Sequence, residues 1–139
     1  MDPKVVLVAD DEAVVRNFVV FALRRENFIV HSTSKPDEAL QVFRNQAIDL
    51  LLTDIQMGDG MNGVELAEQI MEEKPGTKVL VMSGFPEKEL PATEKNLPFL
   101  SKPFTAAILI ERVRELLESK ITVQSETKNS SSKSKIKTG

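Results

Sequence analysis

Short apolar runs alternate with longer segments whose apolar residues recur every three or four positions. "KVVLVAD" (residues 4–10) is an unbroken apolar run rich in valine, which predicts a strand buried on both faces. "EAVVRNFVVFALRRENF" (12–28) predicts a helix. Val14, Val15, Phe18, Val19, Ala22 and Leu23 form its apolar stripe, and Arg16, Arg24 and Arg25 fall largely off it. "FIVHS" (28–32) predicts a second strand. "KPDEALQVFRNQ" (35–46) predicts a second helix, with Pro36 and Asp37 suited to its first turn. "DLLLTD" (49–54) reads as a third strand. "NGVELAEQIMEEK" (62–74) reads as a third helix, whose apolar positions are Val64, Leu66, Ala67, Ile70 and Met71. "TKVLVMSG" (77–84) and the short "LPFLS" (97–101) complete the strands. "TAAILIERVRELLESK" (105–120) closes the series as a helix aligned on Ile110, Val113 and Leu117.

This rhythm predicts an α/β domain: a parallel sheet, doubly wound, with helices on both faces. Such sheets take ligands at the carboxyl ends of their strands. Asp10 and Asp11 end the first strand, Asp54 the third, Ser83 the fourth and Lys102 the fifth, so five polar groups are expected on one edge. The stretch between Ser83 and Lys102 is less regular, because it carries Pro86, Pro91 and Pro98. Proline inside a helix costs about 3 kcal/mol, so a fourth helix, within 87–95, is expected to be short or irregular.

Composition narrows the classes. With 139 residues, 41% apolar and 28% charged, the chain suits one folded domain. It has no cysteine, hence neither disulfides nor thiolate metal sites. Neither a signal peptide nor a bilayer-length apolar run is visible, so a cytoplasmic protein without membrane insertion is the expectation. The net charge of −3 divides unevenly. Residues 1–119 carry 13 Lys/Arg against 20 Asp/Glu, while 120–139 carry five lysines and one glutamate. An acidic body gives no support for direct nucleic-acid binding. The basic tail, rich in Ser, Lys and Thr, is expected to be disordered, with no output domain after the 1–119 body.

Asp10, Asp11 and Asp54 within a few ångströms would repel. Two like charges at 4 Å cost roughly 4 kcal/mol at an effective dielectric of 20. Hard carboxylate oxygens on an open sheet edge suit Mg²⁺, and Lys102 supplies part of the countercharge. Capping of the helix near Glu12 is the plainer explanation for the first two acids. A carboxylate beside Mg²⁺ is a competent nucleophile toward phosphorus, yielding an aspartyl phosphate. In that reaction Lys102 would pair with a phosphoryl oxygen, Ser83 would hydrogen-bond another, and Gly84 would leave room for the backbone to approach.

The pieces "VLVADDE", "LLLTDIQM", "MNG", "VMSG" and "LSKPF", in this order and at this spacing, resemble the receiver domains of two-component response regulators. The resemblance covers about residues 4–119. It implies a flavodoxin-like, five-stranded parallel sheet of order 2-1-3-4-5. It also implies that Asp54 accepts the phosphoryl group, that Asp11 binds Mg²⁺ directly and Asp10 through water, and that the Gln56 carbonyl is a further metal ligand. Ser83 resembles the switch hydroxyl, Phe99 its aromatic partner, and Lys102 the phosphate-binding lysine, followed by a cis bond to Pro103. The implied donor is a phosphohistidine on a sensor histidine kinase or histidine phosphotransfer protein. The downstream protein is unspecified. The implied activity is that of a signalling domain, not an enzyme beyond its own phosphorylation and dephosphorylation. His31, at the predicted end of the second strand, lacks any surrounding motif and reads as a surface residue.

Three departures from the family pattern stand out. "MGDGMNG" lacks a proline and is one residue longer, so the loop after Asp54 is expected to be looser. The interval from Ser83 to Lys102 is about three residues shorter. Phe99 has no hydroxyl, so its switch would work by packing alone. A receiver excised from a hybrid histidine kinase or a longer regulator fits the same residues. A haloacid-dehalogenase-like phosphatase would need a second acid two residues after Asp54, where this chain has Gln56. A nucleotide or flavin module lacks both glycine fingerprints. A receiver that binds partners without phosphorylation is opposed by the intact acids, hydroxyl and lysine.

Overall fold

Five short strands form one parallel sheet, and its inner strands are the runs richest in valine and leucine. The computed structural model describes residues 2–58, 60–84 and 97–119. The elements are β1 (Val5–Ala9), α1 (Ala13–Arg25), β2 (Ile29–Thr33), α2 (Pro36–Asn45), β3 (Leu50–Asp54), α3 (Gly63–Glu73), β4 (Lys78–Ser83), β5 (Phe99–Ser101) and α4 (Ala106–Glu118). All strands run parallel in the order β2-β1-β3-β4-β5. The expected fourth helix and the tail fall on residues 85–96 and 120–139, which lie outside the described residues.

Side chains alternate across the sheet. Leu7, Ala9, Leu51, Val79 and Val81 pack with Ala39, Phe43, Leu66, Ala67 and Ile70 of α2 and α3. Val6, Val8, Leu50, Leu52, Leu80 and Met82 pack with Val19, Leu23, Leu109 and Val113 of α1 and α4. Each large side chain so buried stabilises the fold by about 1.5–3 kcal/mol. The central strand β3 is buried along its whole length, as its three consecutive leucines require. Its position beside β1 brings Asp54 to the middle of the carboxyl edge.

Two expectations need correction. The α1 stripe is narrower than its apolar residues suggested. Val19, Ala22 and Leu23 are buried and Val15 is partly so, but Val14 is 83% and Phe18 42% exposed. A helix lying flat on a sheet buries roughly one face, so apolar residues at its borders stay in water. His31 stands in the middle of β2, opposite Leu7, rather than at its end, and is half-buried.

Candidate functional site

The carboxyl ends of β1, β3, β4 and β5 deliver the groups. Ala9 of β1 lies opposite Thr53 of β3, so Asp10 and Asp54, the next residue in each chain segment, come together. Asp10 is fully buried, Asp54 is 6% exposed, and Asp11 is exposed beside them. One carboxylate oxygen from each lies within 4.8 Å of the other two. Lys102 follows β5 directly, and its N–H donates to the Ser83 carbonyl at 2.7 Å. That backbone bond aims its side chain across the edge. Nζ stands 3.0 Å from Asp54 Oδ1, 3.5 Å from Asp10 Oδ2 and 3.4 Å from Glu12 Oε1. The Lys102–Pro103 peptide is cis.

Ser83 ends β4, is 2% exposed, and lies opposite Ser101, while Phe99 lies opposite Val81. Ser83 and Phe99 therefore point to the same face of the sheet, two register positions apart. Phe99 is half-buried and packs against the α2–α3 side of the core, and its carbonyl accepts from Arg112 Nη1 at 2.9 Å. Gln56 is exposed, two residues beyond Asp54.

The electrostatics follow from burial. Asp54 is raised above the ordinary carboxylate range chiefly by desolvation. The bond and charge of Lys102 oppose this, and the charges of Asp10 and Asp11 add to it. Asp10 is also raised by burial, against the Glu12 N–H and Lys102. For Lys102, burial pulls down, but the bond to Asp54 and the charges of Asp54, Asp10 and Glu12 leave it raised and protonated.

Such a cluster fits a hard divalent cation. Asp10 Oδ2 is buried and, among the described residues, is met by the Lys102 ammonium at 3.5 Å without a closer hydrogen bond, and the three converging carboxylates exceed the charge that one ammonium neutralises. The plainer explanation also holds in part, because Asp10 Oδ1 accepts from the Glu12 N–H at 2.9 Å. However, Oδ1 alone does this, and α1 has no side-chain cap of its own.

Several residues support the site from outside its acids and lysine. Arg16 Nη1 donates to the Asp10 carbonyl at 2.7 Å and braces the loop that holds both acids. Gly63 presses on the Asp54 backbone so closely that a Cβ there would overlap the Asp54 carbonyl oxygen. Its N–H also bonds the Ile55 carbonyl at 2.7 Å. Next to it Asn62 caps α3 in a reciprocal pair with Glu65, the pattern that "NGVE" spells. In the stretch after Asp54, Ile55 and Met57 are buried, and the backbone is left-handed at Gly58 and Gly60.

Comparison with known proteins agrees with this geometry. The family model for the response regulator receiver domain matches residues 6–114. The response regulator receiver protein CpdR of Brucella abortus is 32% identical over 120 residues, covering 82% of this chain and 97% of that protein. The sensor kinase CckA of the same organism is 33% identical over 119 residues, covering 81% of this chain but 12% of the kinase. Among solved structures, the response regulator protein TrrA of Thermotoga maritima, in complex with Mg²⁺-BeF, has 27% identity and a TM-score of 0.74. That alignment covers 81% of this chain and 98% of TrrA. A CheY-like receiver domain protein of Methanospirillum hungatei has 26% identity and a TM-score of 0.76, with 84% and 95% covered.

Proposed function

The chain belongs to the response regulator receiver family, and from that premise we propose that Asp54 accepts a phosphoryl group from a phosphohistidine and that the modified domain changes its affinity for a downstream protein. The observation that carries this reading is the Lys102 ammonium 3.0 Å from Asp54 Oδ1, in a cluster with two further acids. Similarity to part of a sensor kinase and to TrrA with Mg²⁺-BeF supports it. A histidine kinase or phosphotransfer protein is the donor.

The ionised Asp54 oxygen attacks phosphorus and the donor's P–N bond breaks. The ring nitrogen keeps the electron pair, takes up a proton and leaves as neutral imidazole. Lys102 pairs with one phosphoryl oxygen and the Ser83 hydroxyl donates to another. Asp10, Asp11, Asp54 and the Gln56 carbonyl would hold Mg²⁺, which when bound supplies positive charge against the phosphoryl oxygens. As Ser83 turns toward the new group, Phe99, on the same face, packs into the space it leaves. Coupling of this kind is worth about 1–3 kcal/mol, enough to change partner affinity several-fold to about a hundredfold. The chain catalyses only its own phosphorylation and dephosphorylation. Because it matches 12% of CckA, a receiver within a hybrid kinase or longer regulator is a second reading of the same site.

Incubation with a small phosphodonor and Mg²⁺, followed by intact mass measurement, tests the assignment. The wild type gains one phosphoryl group, Asp54→Asn gains none, and chelation of the metal prevents labelling. A labelled Asp54→Asn protein would move the acceptor elsewhere. Sustained turnover of excess phosphate ester would favour a phosphatase.

A further inference from the structure

We propose that Glu12 is a specificity-determining residue of this site: an exposed carboxylate at its mouth that shares Lys102 with Asp54 and slows reaction with highly anionic phosphodonors. The inference rests on the assignment of Asp54 as acceptor.

Lys102 is held by three carboxylates of unequal kind. Those of Asp54 and Asp10 are buried, whereas the side chain of Glu12 is 64% exposed and reaches the ammonium from the solvent side, at 3.4 Å. Its backbone is fixed at both ends. The Glu12 N–H donates to Asp10 Oδ1 at 2.9 Å, and its carbonyl accepts from the Arg16 N–H at 2.9 Å. Glu12 occupies the N-cap position of α1, where a side-chain oxygen would ordinarily turn to the first free N–H groups. It makes no such bond, and its carboxylate lies against Lys102 instead.

Two consequences follow for a donor approaching Asp54. Asp54 is 6% exposed and shares the Lys102 ammonium with the exposed Glu12, so a donor that reaches Asp54 meets the charge of Glu12. Repulsion there scales with the donor's charge. In addition, the ammonium that should meet a phosphoryl oxygen is partly engaged by Glu12 and must be drawn off it. Both effects act on charge, and because Glu12 is exposed both weaken with salt.

Two small donors of different charge separate this role from a structural one. With an acyl phosphate such as acetyl phosphate, a dianion, the Asp54 oxygen displaces acetate as the P–O bond breaks. With phosphoramidate, which carries one net negative charge, the P–N bond breaks and ammonia leaves. In excess Mg²⁺, Glu12→Gln is expected to speed labelling of Asp54 by about fourfold with acetyl phosphate and about twofold with phosphoramidate, since the repulsion removed doubles with donor charge. Glu12→Asp, which keeps the charge near its place, is expected to retain the wild-type ratio between donors. Raising the ionic strength should narrow the gap between wild type and Glu12→Gln. Equal factors for both donors, an unchanged rate, or a slower Glu12→Gln protein would overturn the role of Glu12 while leaving Asp54 as acceptor. Absence of labelling in every variant, the wild type included, would overturn both.

Discussion

Burial of Asp10 and Asp54 costs the fold stability at neutral pH. Both are raised above the ordinary carboxylate value, mainly by desolvation. A raised carboxyl holds its proton more tightly in the folded chain than in the unfolded one. Its favourable contribution is therefore full below the ordinary carboxylate value and is lost as pH rises through the raised one. In metal-free buffer Asp10→Asn keeps the oxygen that accepts from Glu12 and removes the charge. It is expected to raise Tm at neutral pH by about 2–6 °C, with the gain fading on acidification, as thermal melts at several pH values would show. Labelling of Asp54 has the opposite dependence: it needs the ionised oxygen, so its rate should fall on acidification. These acids were legible because each interrupts or closes an apolar run. Glu12 and Gly63 lie within "VLVADDE" and "MNG", but their roles do not show there. An exposed glutamate at a helix start looks like any surface residue, and a glycine chosen for backbone contact leaves no periodic mark.

Elements were read well where burial is two-sided or where a helix face is fully covered. β3 and β4 are continuous apolar runs, and every apolar position expected of α3 is buried. α1 leaves Val14 and Phe18 exposed, because a stripe of apolar residues gives a helix its period but not the width of the surface it meets. The start of α3 is where element and site join. Asn62→Ala removes one half of a reciprocal cap and should cost about 1 kcal/mol. Gly63→Ala forces a methyl against the Asp54 carbonyl and should cost about 1–3 kcal/mol or more. Denaturant unfolding would measure both, and only Gly63→Ala should also slow labelling of Asp54. α2 and α3 are tied by the Arg44 guanidinium, which grips both oxygens of Glu73. That grip, helped by Gln69, lowers Glu73 to about 2. Its contribution is present above the ordinary glutamate value and is lost as pH falls through about 2. Lying at the surface, it should be small and should weaken with salt.

At the scale of the whole molecule, topology gathers what the chain keeps apart. Asp10 and Lys102 meet because β1 and β5 flank the β3–β4 pair and all strands point the same way. The order β2-β1-β3-β4-β5 came from family resemblance, since alternation of strands and helices alone fixes parallel pairing but not the sequence of neighbours. A cation that binds the assembled edge and not the unfolded chain must stabilise the fold. At about a hundred times its Kd, Mg²⁺ would add about 2.7 kcal/mol. Thermal melts over a Mg²⁺ titration should show that rise for the wild type, and Asp11→Asn, altered at an exposed acid, should lose most of it with little change in the metal-free protein. The strand that carries Lys102 to the acids is also the shortest, three residues at the border of the sheet, with its Phe99 carbonyl closed off by Arg112 rather than by another strand. The cation of the site is thus mounted on the least anchored part of the sheet. In hydrogen–deuterium exchange the amides of Phe99, Leu100 and Ser101 should trade their protons well before those of β3, and phosphoryl capture should slow them by clamping the end of the strand.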